Sequence, residues 1–297
     1  MPFSVTVPGK WILAGEHAVL RGSEALVFPL HSKFLQLNFT PGDQELQLKI
    51  IGENHQDLEL IIWSVLERAF NLLSVRRNQI FGKLEINSHI ALGGGMGASA
   101  TLCVALTEWL HHLGFVEHTE RFEFARNLEN LFHGESSGVD VAVTLAKKPL
   151  VFTRHNGFSE LQIKSLPDLY LSYSGERGVT RDCVEKVKAL FFTHTELAKN
   201  VDQEMSESVK HFKELLLENV SLIDWIKTIK RSNHCFEQWG LVTDSVLKHE
   251  KVLLDAGALA VKLTGSGGGG YVLSLWEGPP PKEMPFEMIA CFNKGNI

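Results

Sequence analysis

The chain has 297 residues, of which 44% are hydrophobic and 22% charged, and its formal net charge is −6. This length suffices for one large domain or two ordinary ones. The acidic balance and the lack of a basic stripe with interleaved aromatic residues argue against nucleic acid as a partner. No run approaches eighteen apolar residues, so no membrane span is expected. The four cysteines form no Cys-x-x-Cys pair, which favours reduced thiols in a cytoplasmic protein over a zinc or redox site.

The predicted elements mix strands and helices without regular alternation, which favours an α+β fold. Residue alternation and apolar spacing predict, in chain order, strands at 3–7, 34–39, 46–51 and 84–87 around a helix at 57–75, then helices at 102–113 and 119–132, strands at 150–153 and 169–172, helices at 179–192, 196–217, 221–239 and 244–256, and strands at 259–263 and 271–276. Pro8-Gly9 is predicted to end the first strand. The strands at 34–39 and 46–51 are predicted to form a hairpin.

The stretch at 92–100 reads Leu-Gly-Gly-Gly-Met-Gly-Ala-Ser-Ala and precedes an apolar, helix-compatible run. Glycines let backbone N–H groups turn toward one point, and the start of a helix adds a positive dipole end. The combination suits a bound phosphate. Ser99 would lie in the first turn, where its hydroxyl either caps the helix or touches a metal ion. The alternative is a flexible turn before a buried helix.

A second stretch, at 133–140, reads His-Gly-Glu-Ser-Ser-Gly-Val-Asp and precedes another apolar run. Asp140 either caps a helix or is a general base placed by a tight turn. Glu129 lies eleven residues upstream of Asp140. Taken alone, it would be a surface carboxylate.

Two further stretches carry unusual residues. Lys10 lies in a strand-like apolar run, where a lysine either snorkels at an edge or meets a carboxylate or phosphate. Glu16 and His17 are adjacent, would face opposite sides of a strand, and need partners if buried. The glycine-rich segment at 265–270 predicts, by itself, a hairpin loop between strands.

Together these stretches resemble the GHMP kinase superfamily, and within it the mevalonate kinases. The motif matches lie at 8–19, 93–100, 133–140 and 262–270, with a weaker one at 178–181. Ala98 and Ser136 depart from the family pattern, in which a serine and a proline stand at these positions. The segment Gly15-Glu16-His17-Ala18-Val19 resembles mevalonate kinases more than galactokinases or phosphomevalonate kinases.

The resemblance implies a two-domain α+β fold, with an ATP-binding, ribosomal protein S5 domain 2-like domain at 1–165 and a ferredoxin-like domain at 166–297. It implies an ATP-dependent kinase that phosphorylates (R)-mevalonate to 5-phosphomevalonate in isoprenoid biosynthesis, as a monomer or homodimer. Glu16, His17 and Thr180 would line the acceptor site, with His17 facing the carboxylate of the acceptor. Two alternatives stay open: a kinase for phosphomevalonate or a sugar, and a non-catalytic sensor with this fold.

The resemblance also implies the catalytic roles. Asp140 would accept the proton of the substrate hydroxyl, and Lys10 would lie beside it, where a cation favours the charged carboxylate. Ser99 and Glu129 would bind Mg²⁺, which prefers a few oxygen ligands together with phosphate and water. The ATP phosphates would contact Gly93, Gly94, Gly95, Met96, Gly97, Ala98, Ser99, Gly267 and Gly268.

Overall fold

A computed structural model describes residues 1–51, 55–90, 94–133, 136–218 and 221–292. The strands are β1 Phe3–Ala14, β2 Ala25–Glu45, β3 Gln47–Ile51, β4 Phe81–Ser88, β5 Leu150–Thr153, β6 Gly157–Glu160, β7 Asp168–Tyr173, β8 Ala260–Leu263, β9 Tyr271–Trp276 and β10 Ile289–Ala290. The α-helices are α1 His55–Leu73, α2 Ala98–His112, α3 Arg121–His133, α4 Val139–Ala146, α5 Thr180–Thr193, α6 Thr195–Leu217, α7 Leu222–Gln238 and α8 Asp244–Asp255.

The chain folds into two compact units, and each unit is assembled from separate stretches of sequence. The first unit comprises Met1–Lys10, His31–Leu92 and Gly97–Lys147. The second comprises Trp11–Leu30, Gly93–Met96 and Lys148–Ile297. Strands β1 and β2 therefore each contribute residues to both units. The division of the sequence after residue 165 stays a prediction.

In the first unit, β4 lies between β2 and β3, so the predicted hairpin is wrong. β4 pairs antiparallel with β2 and parallel with β3. Parallel neighbours need a crossover connection, and α1, which follows β3, provides it. The alternation of apolar residues correctly predicted both strands, but it contains no information on a third strand that is inserted between them.

Strand β1 runs from Phe3 to Ala14 without interruption, so the predicted break at Pro8-Gly9 is wrong. Proline has a φ angle that an extended chain tolerates, and it removes only one hydrogen-bond donor. The continuous strand carries Lys10, which is 4% exposed, into the interior of the first unit.

Helix α2 is apolar nearly all round and is the central helix of the first unit. Its buried side chains include Leu102, Leu106 and Trp109, and it packs against α1, α3 and α4. Burial on several sides fixes the helix axis, since close-packed interiors leave little freedom. The first turn of α2, with Ser99, is therefore held in one place.

The second unit contains an antiparallel sheet with the strand order β10-β7-β9-β8 and the helices α5 to α8. Helix α7 packs against β8. β8 and β9 pair antiparallel, and the glycine-rich segment at 265–270 joins them, as predicted. In the same unit β5 pairs with the beginning of β2, from Ala25 to Val27.

Free thiols are present in both units. Cys103, Cys183, Cys235 and Cys291 are all buried and free. Within the described ranges, no helix is long and apolar enough to cross a membrane.

Candidate active site

Lys10 and Asp140 form an ion pair in the first unit. The Lys10 Nζ atom lies 3.1 Å from Asp140 Oδ2, and the two side chains are 5% and 26% exposed. Helix α4 begins after Gly138, whose φ of 84° places it in the left-handed region, and no side chain caps this end. Asp140 therefore lies within the first turn and is not the helix cap. Its carboxylate contacts the lysine through Oδ2 and is partly open to solvent.

Gly97 brings the start of α2 close to this ion pair. Its φ is 75°, and a Cβ atom at this position would lie 2.8 Å from Lys10 Cγ. A side chain here would therefore displace the lysine. The first N–H groups of a helix have no intrahelical acceptor, and Gly97 itself provides no side-chain cap. These donors, next to a lysine, suit the phosphates of a nucleotide.

Glu129 is a buried carboxylate in the same unit, and two hydroxyl groups hold it. Ser99 Oγ donates to Glu129 Oε1 at 3.4 Å, and Ser136 Oγ donates to Oε2. Burial, together with the negative charge of Asp140, raises the pKa of Glu129 to about 7. A carboxylate with a raised pKa is one that additional positive charge would stabilise.

The donors around Glu129 fit Mg²⁺, because they are hard oxygen atoms beside a second carboxylate. In the part of the chain that the structure describes, no three His, Cys, Asp or Glu side chains are grouped as a metal site. A cation held by Glu129 and Ser99 would thus need phosphate or water oxygens to complete its shell. That is the usual situation for Mg²⁺ bound with a nucleotide.

In the second unit, Glu16 forms an ion pair with Lys262. The distance from Lys262 Nζ to Glu16 Oε1 is 2.7 Å, and the two side chains are 0% and 1% exposed. Lys262 comes from β8, and its ammonium also lies 5.4 Å from the centre of the Phe236 ring. Glu16 is therefore committed to an interior contact, although it was predicted to line the acceptor site.

His17 is also held by a contact within the second unit. Its backbone has φ 55° and ψ −47°, and Ala18 N–H donates to Glu16 O, which makes His17 the centre of a γ-turn, a strained conformation. The Nε2–H group donates to Ser266 O at 2.8 Å. Burial lowers the pKa of His17 to about 4, so the ring is neutral and Nδ1 is an acceptor. His17 thus has no second N–H group for a carboxylate.

The glycine-rich segment at 265–270 packs tightly on its neighbours. A Cβ atom on Gly178 would lie 2.2 Å from Gly267 O, and Gly268 N–H donates to Leu241 O at 2.8 Å. Thr180 Oγ1 lies 3.3 Å from Ser266 Oγ. A small cavity of this unit is lined by Gly95, Gly178, Thr264, Ser266, Gly267, Gly269 and Gly270.

The predicted site residues thus form two groups, one in each unit. Lys10, Asp140, Ser99 and Glu129 come together in the first unit. The second unit brings together the following predicted residues: Glu16, His17, Thr180, Gly267 and Gly268. Of the predicted phosphate loop, Gly94, Gly95 and Met96 belong to the second unit and Gly97, Ala98 and Ser99 to the first. Gly93 lies outside the described residues.

Three contact residues were missed by sequence reasoning: Ser136, Lys262 and Thr264. Thr264 Oγ1 donates to Ile12 O at 2.9 Å and accepts from Ile12 N–H at 3.0 Å. Lys262 carried a usable signal, because a lysine inside a short apolar strand needs a partner, as Lys10 does. Ser136 was noted only as a departure from the family pattern.

Residues 61–148 of the chain match the family model of the GHMP kinases N terminal domain. This segment contains α2, α3 and α4 with Ser99, Glu129 and Asp140. The predicted resemblance to the GHMP kinases and the predicted α+β fold are confirmed.

The chain is 27% identical over 296 residues to the mevalonate kinase of Thermococcus sibiricus, with 91% of this chain and 88% of that protein aligned. The structure of L. major mevalonate kinase in complex with R-mevalonate matches with a TM-score of 0.77 at 22% identity, covering 93% and 87% of the two chains. The structure of Streptococcus pneumoniae phosphomevalonate kinase in complex with phosphomevalonate and AMPPNP matches with a TM-score of 0.73 at 18% identity, covering 93% of each chain. The predicted resemblance to mevalonate kinases is confirmed.

Proposed function

We propose that this chain is an ATP-dependent kinase that transfers the γ-phosphoryl group of ATP to (R)-mevalonate and forms 5-phosphomevalonate, a step of isoprenoid biosynthesis. The observation that carries this proposal is the Lys10–Asp140 pair at 3.1 Å, beside the glycine that begins α2. A partly exposed carboxylate, a lysine and the backbone N–H groups at the start of a helix are parts that suit phosphoryl transfer to an alcohol.

In this mechanism Asp140 accepts the proton of the substrate hydroxyl as that oxygen bonds to the γ-phosphorus. The bond from the γ-phosphorus to the β,γ-bridging oxygen breaks, and ADP leaves with the electron pair. Lys10 places its positive charge beside Asp140 and stabilises negative charge on the transferred group. General-base assistance of this kind is worth about 10²–10⁴ in rate.

ATP phosphates would be bound by backbone N–H groups at 93–98, where Gly97 lets the chain pass close to Lys10, and by the loop with Gly267. The Gly268 N–H group already donates to Leu241 O. Gly268 would therefore support the conformation of the loop and not bind a phosphate through this group. Ser99 and Glu129 would hold Mg²⁺, which offsets phosphate charge when bound. Burial of Glu129 next to Asp140 supports this assignment, because the cation would relieve the unfavourable buried charge.

On the acceptor side, Glu16, His17 and Thr180 are proposed to shape the binding site. Glu16 is paired with Lys262, and His17 donates to Ser266 O. Glu16 and His17 would therefore act mainly by holding their own turn against β8 and the glycine-rich segment at 265–270. Thr180 is exposed at the start of α5 and is the candidate for direct contact. The mevalonate kinase resemblance supports mevalonate as the acceptor. We further propose that the enzyme acts in the cytoplasm, as a monomer or homodimer.

The test is an ADP-release assay on the purified protein with ATP, Mg²⁺ and a panel of acceptors: (R)-mevalonate, phosphomevalonate and galactose. We expect turnover with mevalonate that exceeds turnover with the others by at least about 10²-fold, a discrimination that modest differences in pocket contacts can give. Turnover only with phosphomevalonate or the sugar would overturn the acceptor. No turnover with any, despite nucleotide binding, would support the ligand-sensor alternative.

A further inference from the structure

Glu129 is held at both carboxylate oxygens by hydroxyl groups from two different segments. Ser99, in the first turn of α2, donates to Oε1 at 3.4 Å. Ser136, which lies just before α4, donates to Oε2. The Glu129 and Ser136 residues are 3% and 8% exposed, so water does not easily replace the Ser136 contact.

The proton of the Ser136 hydroxyl has a defined direction. Gly138 N–H donates to Ser136 Oγ at 3.0 Å, which occupies one lone pair and leaves the hydroxyl hydrogen for Glu129. Ser136 N–H donates to Asn130 Oδ1 at 2.7 Å, and Asn130 follows Glu129 on α3. Ser136 is thus fixed at its backbone and its side chain, and it joins Glu129 to Gly138, the residue just before the helix of Asp140.

We propose that Ser136 is a positioning residue for the divalent cation: its hydroxyl holds Oε2 of Glu129 and thereby turns Oε1 toward Ser99, where the cation would bind. This inference rests on the proposed function. Groups that orient a metal ligand by a hydrogen bond typically change metal affinity by 10–100-fold when they are removed. A proline, which the family pattern has at this position, supplies neither the hydroxyl nor the N–H group.

The test measures binding of Mn²⁺ to the full chain with AMPPNP, by electron paramagnetic resonance of free Mn²⁺, and nucleotide binding in EDTA. The variants are Ser136→Ala, which removes the hydroxyl, and Ser136→Thr, which keeps it. Ser136→Cys, which offers only a weak S–H donor, replaces the alanine variant if that one does not fold. The control is Thr107→Val, which removes another buried hydroxyl of the first unit, one that donates to a helix carbonyl, Cys103 O, at 2.8 Å.

We expect the Mn²⁺ dissociation constant to rise about tenfold or more in Ser136→Ala, to return to within about threefold of wild type in Ser136→Thr, and to stay unchanged in Thr107→Val. Metal-free nucleotide binding should stay unchanged in all of them. Equal Mn²⁺ affinity in wild type and Ser136→Ala would overturn this inference and leave the proposed function standing. Wild-type protein that binds AMPPNP but shows no Mn²⁺ binding would overturn the inference together with the metal assignment.

Discussion

Lys10 and Lys262 each form an ion pair with a carboxylate, one pair in each unit, and the two pairs differ in burial. In the pair of Lys10 with Asp140, the carboxylate side chain is 26% exposed. In the pair of Lys262 with Glu16, the two side chains are 0% and 1% exposed. Both lysines lie in apolar strands. Under the proposed function, the same two functional groups serve chemistry where the carboxylate stays open and serve structure where both are enclosed.

Solvation explains the difference. Burial lowers the pKa of Lys262, and the charge of Glu16 acts in the opposite direction. Removing two charges from water costs several kcal/mol per ion, and their attraction offsets this only when the geometry is good. An enclosed pair is thus held together strongly once formed and offers no free oxygen to a substrate. Asp140, in contrast, is 26% exposed and can be reached by a substrate.

Asp140→Asn is expected to have the largest effect on the open pair. An amide cannot accept the proton at neutral pH, so kcat should fall by about 10²–10⁴. The free energy of unfolding should change by about 1 kcal/mol, because the amide oxygen of Asn can still accept a hydrogen bond from Lys10. Steady-state ADP release and urea denaturation measure the two quantities. Asp244→Asn, an exposed aspartate in the first turn of α8, is the matched control and should keep wild-type kcat.

Lys262→Met tests the enclosed pair. It leaves the buried Glu16 carboxylate without its lysine, and we expect the free energy of unfolding to fall by about 3–5 kcal/mol. The double variant with Glu16→Gln should be more stable than Lys262→Met alone, because no unpaired charge is then buried. Urea denaturation is the measurement. A loss below about 1 kcal/mol would mean that water reaches this pair in solution.

Glu250 shows what burial does to a carboxylate that has no lysine. Its Oε1 has no hydrogen-bond partner among the described residues, and burial raises its pKa from 4.5 to about 7. The folded protein thus keeps a proton that the unfolded chain has lost, so its stability declines as pH rises from about 4.5 through 7. Glu250→Gln should be more stable than wild type at pH 8 by about 1–3 kcal/mol. Urea denaturation at pH 5 and pH 8 should show this gain only at pH 8.

His17 gives the smallest expected effect, and it has the opposite pH dependence. Burial lowers its pKa from 6.5 to about 4, so the unfolded chain binds a proton first and stability is lost as pH falls from 6.5 through 4. His17→Gln keeps an N–H donor for Ser266. Between pH 7.5 and pH 5, its free energy of unfolding should fall by about 1–2 kcal/mol less than that of wild type. Identical pH profiles for the two proteins would mean that the His17 ring is solvated.

Much of the fold could be predicted from the sequence because local patterns determine it. The spacing of apolar residues predicted a helix at 57–75, and α1 spans His55–Leu73; 196–217 likewise corresponds to α6, Thr195–Leu217. Strand pairing could not be predicted in the same way. The order β3-β4-β2 depends on a crossover through α1, and alternation within each strand is the same for either order.

The candidate site follows the same rule. Lys10 beside Asp140 was anticipated through the family resemblance, and the sequence signal was a lysine in an apolar strand. The same signal at Lys262 went unused, because its partner Glu16 is 246 positions away and nothing local indicates it. The role of Ser136 depends on one hydroxyl direction, which only the three-dimensional arrangement around Glu129 determines.

The most direct test of the central claim is a double-mutant cycle on the open pair, with kcat for mevalonate phosphorylation measured in wild type, Lys10→Met, Asp140→Asn and the double variant. If the two residues act on one transition state, each single change lowers kcat and the double variant falls by much less than the product of the two losses. Near-normal turnover in folded Asp140→Asn, or losses that simply multiply, would contradict the account.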